Sequence, residues 1–155
     1  MLELSVVGVR VEWPTNQPII LLKEVAGDRY LPIWIGAVEA TAIAYAQQGV
    51  VPPRPLTHDL LKDVLTALDA DLTAVAITEM RNNIYYADLR FSNGVTVSAR
   101  PSDAIALALR SGTTIYAAED VLAEGAVAIP DDDETTVEQF REFLDNVSPA
   151  DFETE

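Results

Sequence analysis

The chain contains no cysteine, a single histidine and two lysines, and it has no apolar run long enough to cross a bilayer. Each shortage removes a class of function. Without cysteine there is no disulfide framework, thiolate nucleophile or cysteine zinc site. With one histidine, His58, no histidine-rich metal site can form within the chain, and a Ser-His-Asp triad would have to use it; no serine stands in a nucleophile-elbow sequence. The phosphate-binding G-x-x-x-x-G-K-[ST], the dinucleotide-binding G-x-G-x-x-G and the metalloprotease H-E-x-x-H are absent. No basic region opens the N-terminus, and the apolar stretches are short, so the expectation is a cytoplasmic chain without membrane contact. The bases other than Lys23 and Lys62 are arginines, which suit fixed bidentate recognition of phosphate or carboxylate better than diffuse attraction.

What is present is a chain of 155 residues, 49% hydrophobic, enough for one domain with a sizeable core. Its formal net charge is −15, which opposes a broad nucleic-acid-binding surface. The charge is uneven. Residues 131–155 hold ten acids against one base, Arg141, and read as an acidic tail with an amphipathic helix carrying Val137, Phe140, Phe143 and Leu144. The expected organisation is one domain over residues 1–130 followed by that tail.

Alternating apolar residues predict strands at 2–11, 19–25, 30–35, 72–80, 84–91 and 95–99, with a short one at 113–117. Between them, the Trp13–Pro18 stretch, Gly27-Asp28, Arg81-Asn82-Asn83 and Asn93-Gly94 read as turns. A helix is predicted at 37–47, with Val38, Ala42, Ile43 and Ala46 on its apolar side and Gly49 as its C-terminal cap. A second runs from a Thr57 cap to about Leu68, with a stripe of Leu60, Leu61, Val64, Leu65 and Leu68. A third runs from a Ser102 cap through Asp103–Arg110 to Gly112 and is apolar on every side, so it should be enclosed by protein. A short helix is expected at 118–123. Strands lead and helices interrupt, which reads as α+β with a mainly antiparallel sheet.

The chemistry concentrates in two phrases that echo each other, Arg54-Pro55-Leu56-Thr57-His58-Asp59 and Arg100-Pro101-Ser102-Asp103. Arginine, histidine, aspartate and hydroxyl at helix starts are the materials of a phosphate site and equally of helix caps. Thr57 and Ser102 read as N-caps, and Asp59 and Asp103 as first-turn acids favoured by the helix dipole, with metal ligation as their minority role. Arg54 and Arg100 suit either a structural pair with an aspartate or a phosphate contact. A neutral imidazole at His58 suits a general base or a metal ligand. Glu39, in the first turn of the first helix, is placed to approach His58 or Arg54.

At these phrases the chain resembles the bifunctional nuclease family. The matching stretches are Leu31-Pro32-Ile33-Trp34-Ile35-Gly36 with Glu39-Ala40, Pro53-Arg54-Pro55 with Thr57-His58-Asp59-Leu60, and Ala99-Arg100-Pro101-Ser102-Asp103-Ala104-Ile105-Ala106-Leu107-Ala108. The resemblance spans roughly residues 2–125. It implies an α+β domain that self-associates, most simply as a homodimer, and an activity on both DNA and RNA. Many members carry an acid at the position of Ser98. Two functions follow as expectations. The first is a phosphodiesterase using His58, Asp59, Asp103 and Glu39, with Arg54 and Arg100 on phosphate and Mg²⁺ or Mn²⁺ held by Asp59 and Asp103. The second is a non-catalytic oligomeric interaction module in which the same residues brace helix starts.

Overall fold

A computed structural model of the chain describes residues 1–12 and 16–128. Residues 13–15 of the expected Trp13–Pro18 turn, and the acidic tail with its amphipathic helix, lie outside the described residues. Alternation over Leu2–Glu12 makes β1, which pairs antiparallel with β2, Gln17–Glu24. After the turn at Gly27-Asp28, β3, Arg29–Trp34, pairs antiparallel with β2. Pro18, expected in the turn, is instead the second residue of β2, opposite Val11. A proline is tolerated near a strand start because it forfeits only one donor, and its carbonyl accepts the Ile35 amide at 3.1 Å.

A meander follows: β4 (Leu72–Arg81), β5 (Ile84–Phe91) and β6 (Thr96–Ala99). The turn with two positive-φ residues is Asn82-Asn83, at 52° and 63°. In the next hairpin Gly94 alone is positive, at 86°, and the Asn93 carboxamide accepts the Val95 amide. Asparagine thus serves the two turns differently, by adopting a left-handed backbone in one and by a side-chain bond in the other. The strand β7, Ile115–Ala117, enters between β4 and β1, parallel to the former and antiparallel to the latter. With β8, Val127–Ala128, on β3, the sheet has eight strands in the order β6-β5-β4-β7-β1-β2-β3-β8. The fold is α+β with a mainly antiparallel sheet.

The helices α1 (Ala37–Gln48), α3 (Pro101–Ser111) and α4 (Glu119–Gly125) give their buried apolar side chains to one core. That core takes alternate strand residues such as Ile20, Leu22, Leu31, Ile33, Val75 and Ile77, which lie on a single face of the sheet. Along α3, Ala104 to Ala108 are all buried, as its all-round apolar sequence requires. Gly49 and Gly112 close α1 and α3 at φ of 68° and 65°, as C-terminal glycines do.

Four expectations need correction. Thr57 is the first helical residue of α2 (Thr57–Ala67), Leu56 holds the cap position, and no side-chain cap bond closes the turn. Ser102 is likewise inside α3, which begins at Pro101 with Arg100 at the cap. A hydroxyl cap would start α2 at His58 and α3 at Asp103, so α2 begins one residue and α3 two residues earlier than expected; in α3 Pro101, whose fixed φ is already helical, takes the first position. Finally, the α2 stripe faces water: Leu60, Leu61, Val64 and Leu68 are 53%, 37%, 42% and 72% exposed, and only Leu65 packs on the core. Val38 of α1 is exposed too, at 77%.

Candidate functional site

The residue before a proline is held extended. Arg100 obeys, at φ −70° and ψ 144°, and Pro101 then starts α3 at once. The Arg100 side chain folds back over this first turn. Its Nε donates to Asp103 Oδ2 at 2.8 Å and its Nη2 reaches Glu39 Oε1, on the first turn of α1, at 2.8 Å. The other Asp103 oxygen, Oδ1, lies 2.9 Å from His58 Nε2, on the first turn of α2. Three helix starts therefore meet through one chain of contacts, His58–Asp103–Arg100–Glu39. Its two end members are enclosed, with side chains 10% exposed at His58 and 12% at Glu39, while the Arg100 side chain between them is 61% exposed. Asp103 and Glu39 both favour the charged guanidinium, which raises its pKa.

A carboxylate at Oδ1 makes His58 Nε2 the donor and leaves the lone pair on Nδ1. His58 itself is buried, with its side chain 10% exposed. The geometry is that of an imidazole oriented by an acid beside an exposed arginine.

The first phrase does not copy the second. Pro55 precedes the cap residue of α2, whereas Pro101 follows that of α3. This offset leaves Arg54 in the connector, exposed and without an ion pair among the described residues, away from the partners expected for it. Glu39 meets Arg100, not His58 or Arg54. Asp59 turns the other way. Its Oδ2 accepts the Leu56 amide at 3.0 Å, and its Oδ1 accepts Arg110 Nε at 2.6 Å. Burial pulls this carboxyl up, but Arg110 and the Leu56 amide outweigh it and hold it below the usual range.

The sequence marks Arg110 only as the end of the third helix, yet its side chain is only 7% exposed. Beyond Asp59 it donates to the Ala106 and Ala42 carbonyls at 2.9 and 3.0 Å, so one guanidinium ties α3 to α1 and α2. A basic residue in a last helical turn is too common to signal a clamp, and its partner lies 51 residues away. An open cleft of about 460 Å³ borders this pair, lined also by Val51, Pro52, Pro55 and Lys62.

The acids are committed to cations. Asp103 serves His58 and Arg100, Glu39 serves Arg100, and Asp59 serves Arg110. No group of three or more His, Asp or Glu side chains able to hold a metal ion occurs among the described residues. As arranged, Asp59 and Asp103 do not fit a divalent cation.

An α+β domain with helices on one sheet face and a His–Asp–Arg–Glu chain joining three helix starts is the class the structure defines. The chain belongs to the bifunctional nuclease domain family, whose model matches residues 20–130, a span that contains every residue of the chain of contacts. It is 56% identical over 159 residues to a Mycobacterium tuberculosis protein whose name is uncharacterized protein, covering 97% of each. It is 27% identical over 101 residues to Bifunctional nuclease 1 of Oryza sativa subsp. indica, covering 61% of this chain and 30% of that protein. A Bifunctional nuclease of Oryza minuta matches to the same extent.

Proposed function

We propose that this domain hydrolyses phosphodiester bonds of DNA and RNA where the three helix starts meet. The observation that carries the reading is the contact chain His58–Asp103–Arg100–Glu39, in a fold whose rice relatives are named bifunctional nucleases. His58 Nδ1 takes a proton from water as its oxygen bonds to phosphorus. The sugar oxygen leaves with its electron pair and is protonated by the imidazolium or by solvent. Asp103 keeps the imidazole in the required tautomer. Arg100 offers its exposed guanidinium to the phosphate oxygens as charge builds there. No step runs through a metal ion, because the acids that would hold Mg²⁺ or Mn²⁺ are bound to arginines.

The test uses single- and double-stranded DNA and RNA, with and without Mg²⁺ or Mn²⁺, and compares the natural protein with Arg100→Ala and Arg54→Ala. Arg100→Ala is expected to lose cleavage by roughly 100-fold, the order of a lost charge-stabilising donor. Arg54→Ala, outside the contact chain, is expected to lose little. Equal cleavage by Arg100→Ala removes the proposal.

The exposed α2 favours a second reading, self-association. Leu56, Leu60, Leu61, Val64 and Leu68 leave roughly 500 Å² of apolar surface on one side of α2, within the range of the largest patch a monomer carries, which is often functional. Two copies packing α2 against α2 about a twofold axis would cover it and make the homodimer the interaction-module reading requires. In either reading the chain acts in the cytoplasm; no helix among the described residues is long and apolar enough to cross a membrane.

A further inference from the structure

Outside β2 and β3 the sheet face opposite the helices is mainly polar around a buried Ala76 on β4. It shows Glu3 and Ser5 on β1, Tyr116 on β7, Asp88 and Arg90 on β5 and Ser98 on β6, all half-buried or exposed. Across β2 and β3 its character changes. Directly paired residues share a face, so Ile19 with Trp34, Leu21 with Pro32, and Tyr30 opposite Lys23 form an apolar patch on that side. Their neighbours along the same strands, Ile20, Leu22, Leu31 and Ile33, belong to the main core, and these do not.

Yet the patch is as well buried as the core. Ile19 is 1% exposed, Leu21 5%, Trp34 6% and Tyr30 7%, and Pro32 is below 2%. No described helix explains this. The buried apolar side chains of α1, α3 and α4 all lie in the main core, and α2 buries only His58.

We propose that the patch is the docking surface for this chain's own acidic tail, through Val137, Phe140 and Leu144. Three arguments select the tail. The chain reaches Ala128 on β8, paired to β3 beside Tyr30, so the tail starts at the patch's border. Eight residues lie between Ala128 and Val137, and the nine steps from one to the other span up to ~30 Å when extended, well beyond the ~10 Å across two strands. Val137, Phe140 and Leu144 recur at i, i+3 and i+7, the spacing of an apolar helix stripe sized for such a patch. Charge agrees as well. Arg10, opposite Ile19, and Lys23 stand at the patch's two ends, opposite in sign to a segment whose sequence holds ten acids and one base.

Docking has a consequence that rests on the nuclease reading. It holds the ten acids on the sheet face away from His58 and Arg100. A sheet and a helix layer, each ~10 Å thick, then separate them by more than the ~8 Å screening length at physiological salt.

The chain's lack of cysteine makes a direct test available. In the full chain a nitroxide on Glu142→Cys should broaden the amide signals of Ile19, Leu21 and Tyr30 and spare those of Leu60 to Leu68. Broadening confined to α2, or absent from both, overturns the proposal. So does broadening of β2–β3 seen only when labelled and isotope-enriched copies are mixed, which assigns the tail to a second molecule. A second measurement uses Trp34 as sole reporter in a Trp13→Phe background. Phe140→Asp with Leu144→Asp should shift its emission to the red and raise acrylamide quenching severalfold, with far-UV circular dichroism of the sheet retained. Unchanged quenching in that folded variant also overturns it. Neither measurement depends on whether the protein cleaves nucleic acid.

Discussion

At the scale of single residues, two arginines do different work. Arg100 is exposed and its pairs are reachable by water, so they add little to stability and leave the guanidinium available. Arg110 is enclosed, and three acceptors depend on it: Asp59 and the Ala42 and Ala106 carbonyls. Arg110→Ala should therefore cost stability, by about 2–4 kcal/mol once the partial exposure of Asp59 is allowed for. Urea unfolding measures this, and a loss below half a kcal/mol contradicts the clamp. The same pair fixes a pH dependence. The Asp59 pKa lies lower in the folded chain than in the unfolded one. Its contribution is complete above the unfolded value of about 4 and is lost as pH falls through the folded value. The stability gap between the natural protein and Asp59→Asn should accordingly narrow between pH 6 and pH 3; a constant gap would show that the pair does not titrate with folding. Little of this was legible beforehand. Two phrases with the same letters suggest two like arginines, but a proline two positions earlier relative to the helix start leaves Arg54 in the connector, whereas Arg100 holds the cap position of α3.

Elements were more legible than contacts. Alternation and turn residues located the strands, and the glycines at 49 and 112 marked the ends of α1 and α3, because a left-handed backbone has few other solutions. Replacing Gly112 by alanine should cost about 1 kcal/mol for that reason, with open space around the new Cβ, and calorimetry would show it as a lowered Tm. Periodicity reveals that a helix has an apolar face but is silent on what the face meets. In α3 it meets the core; in α2 it meets water. The account of α2 as a self-association surface predicts that Leu61→Glu with Leu68→Glu gives monomers in sedimentation while leaving unfolding almost unchanged. If the natural protein is already monomeric at high concentration, that account fails. The short β7 insertion between β4 and β1 also escaped pattern reading, since pairing order is set by crossovers that no local window contains.

For the whole molecule the governing facts are a net charge of −15 and a family whose rice members are named for cutting nucleic acid. The structure eases that conflict by gathering Arg100 and three helix starts on one side, with the acids beside them already paired. The central claim is that His58, oriented by Asp103, acts on a phosphodiester at this point. The most direct measurement is the cleavage rate of one oligonucleotide by the natural protein and by His58→Ala, purified identically and matched in folded fraction. Removal of a general base predicts a fall of roughly 10²- to 10⁴-fold. Equal rates, or no cleavage by the natural protein on DNA or RNA, would contradict the account and leave the contact chain as a brace between helices.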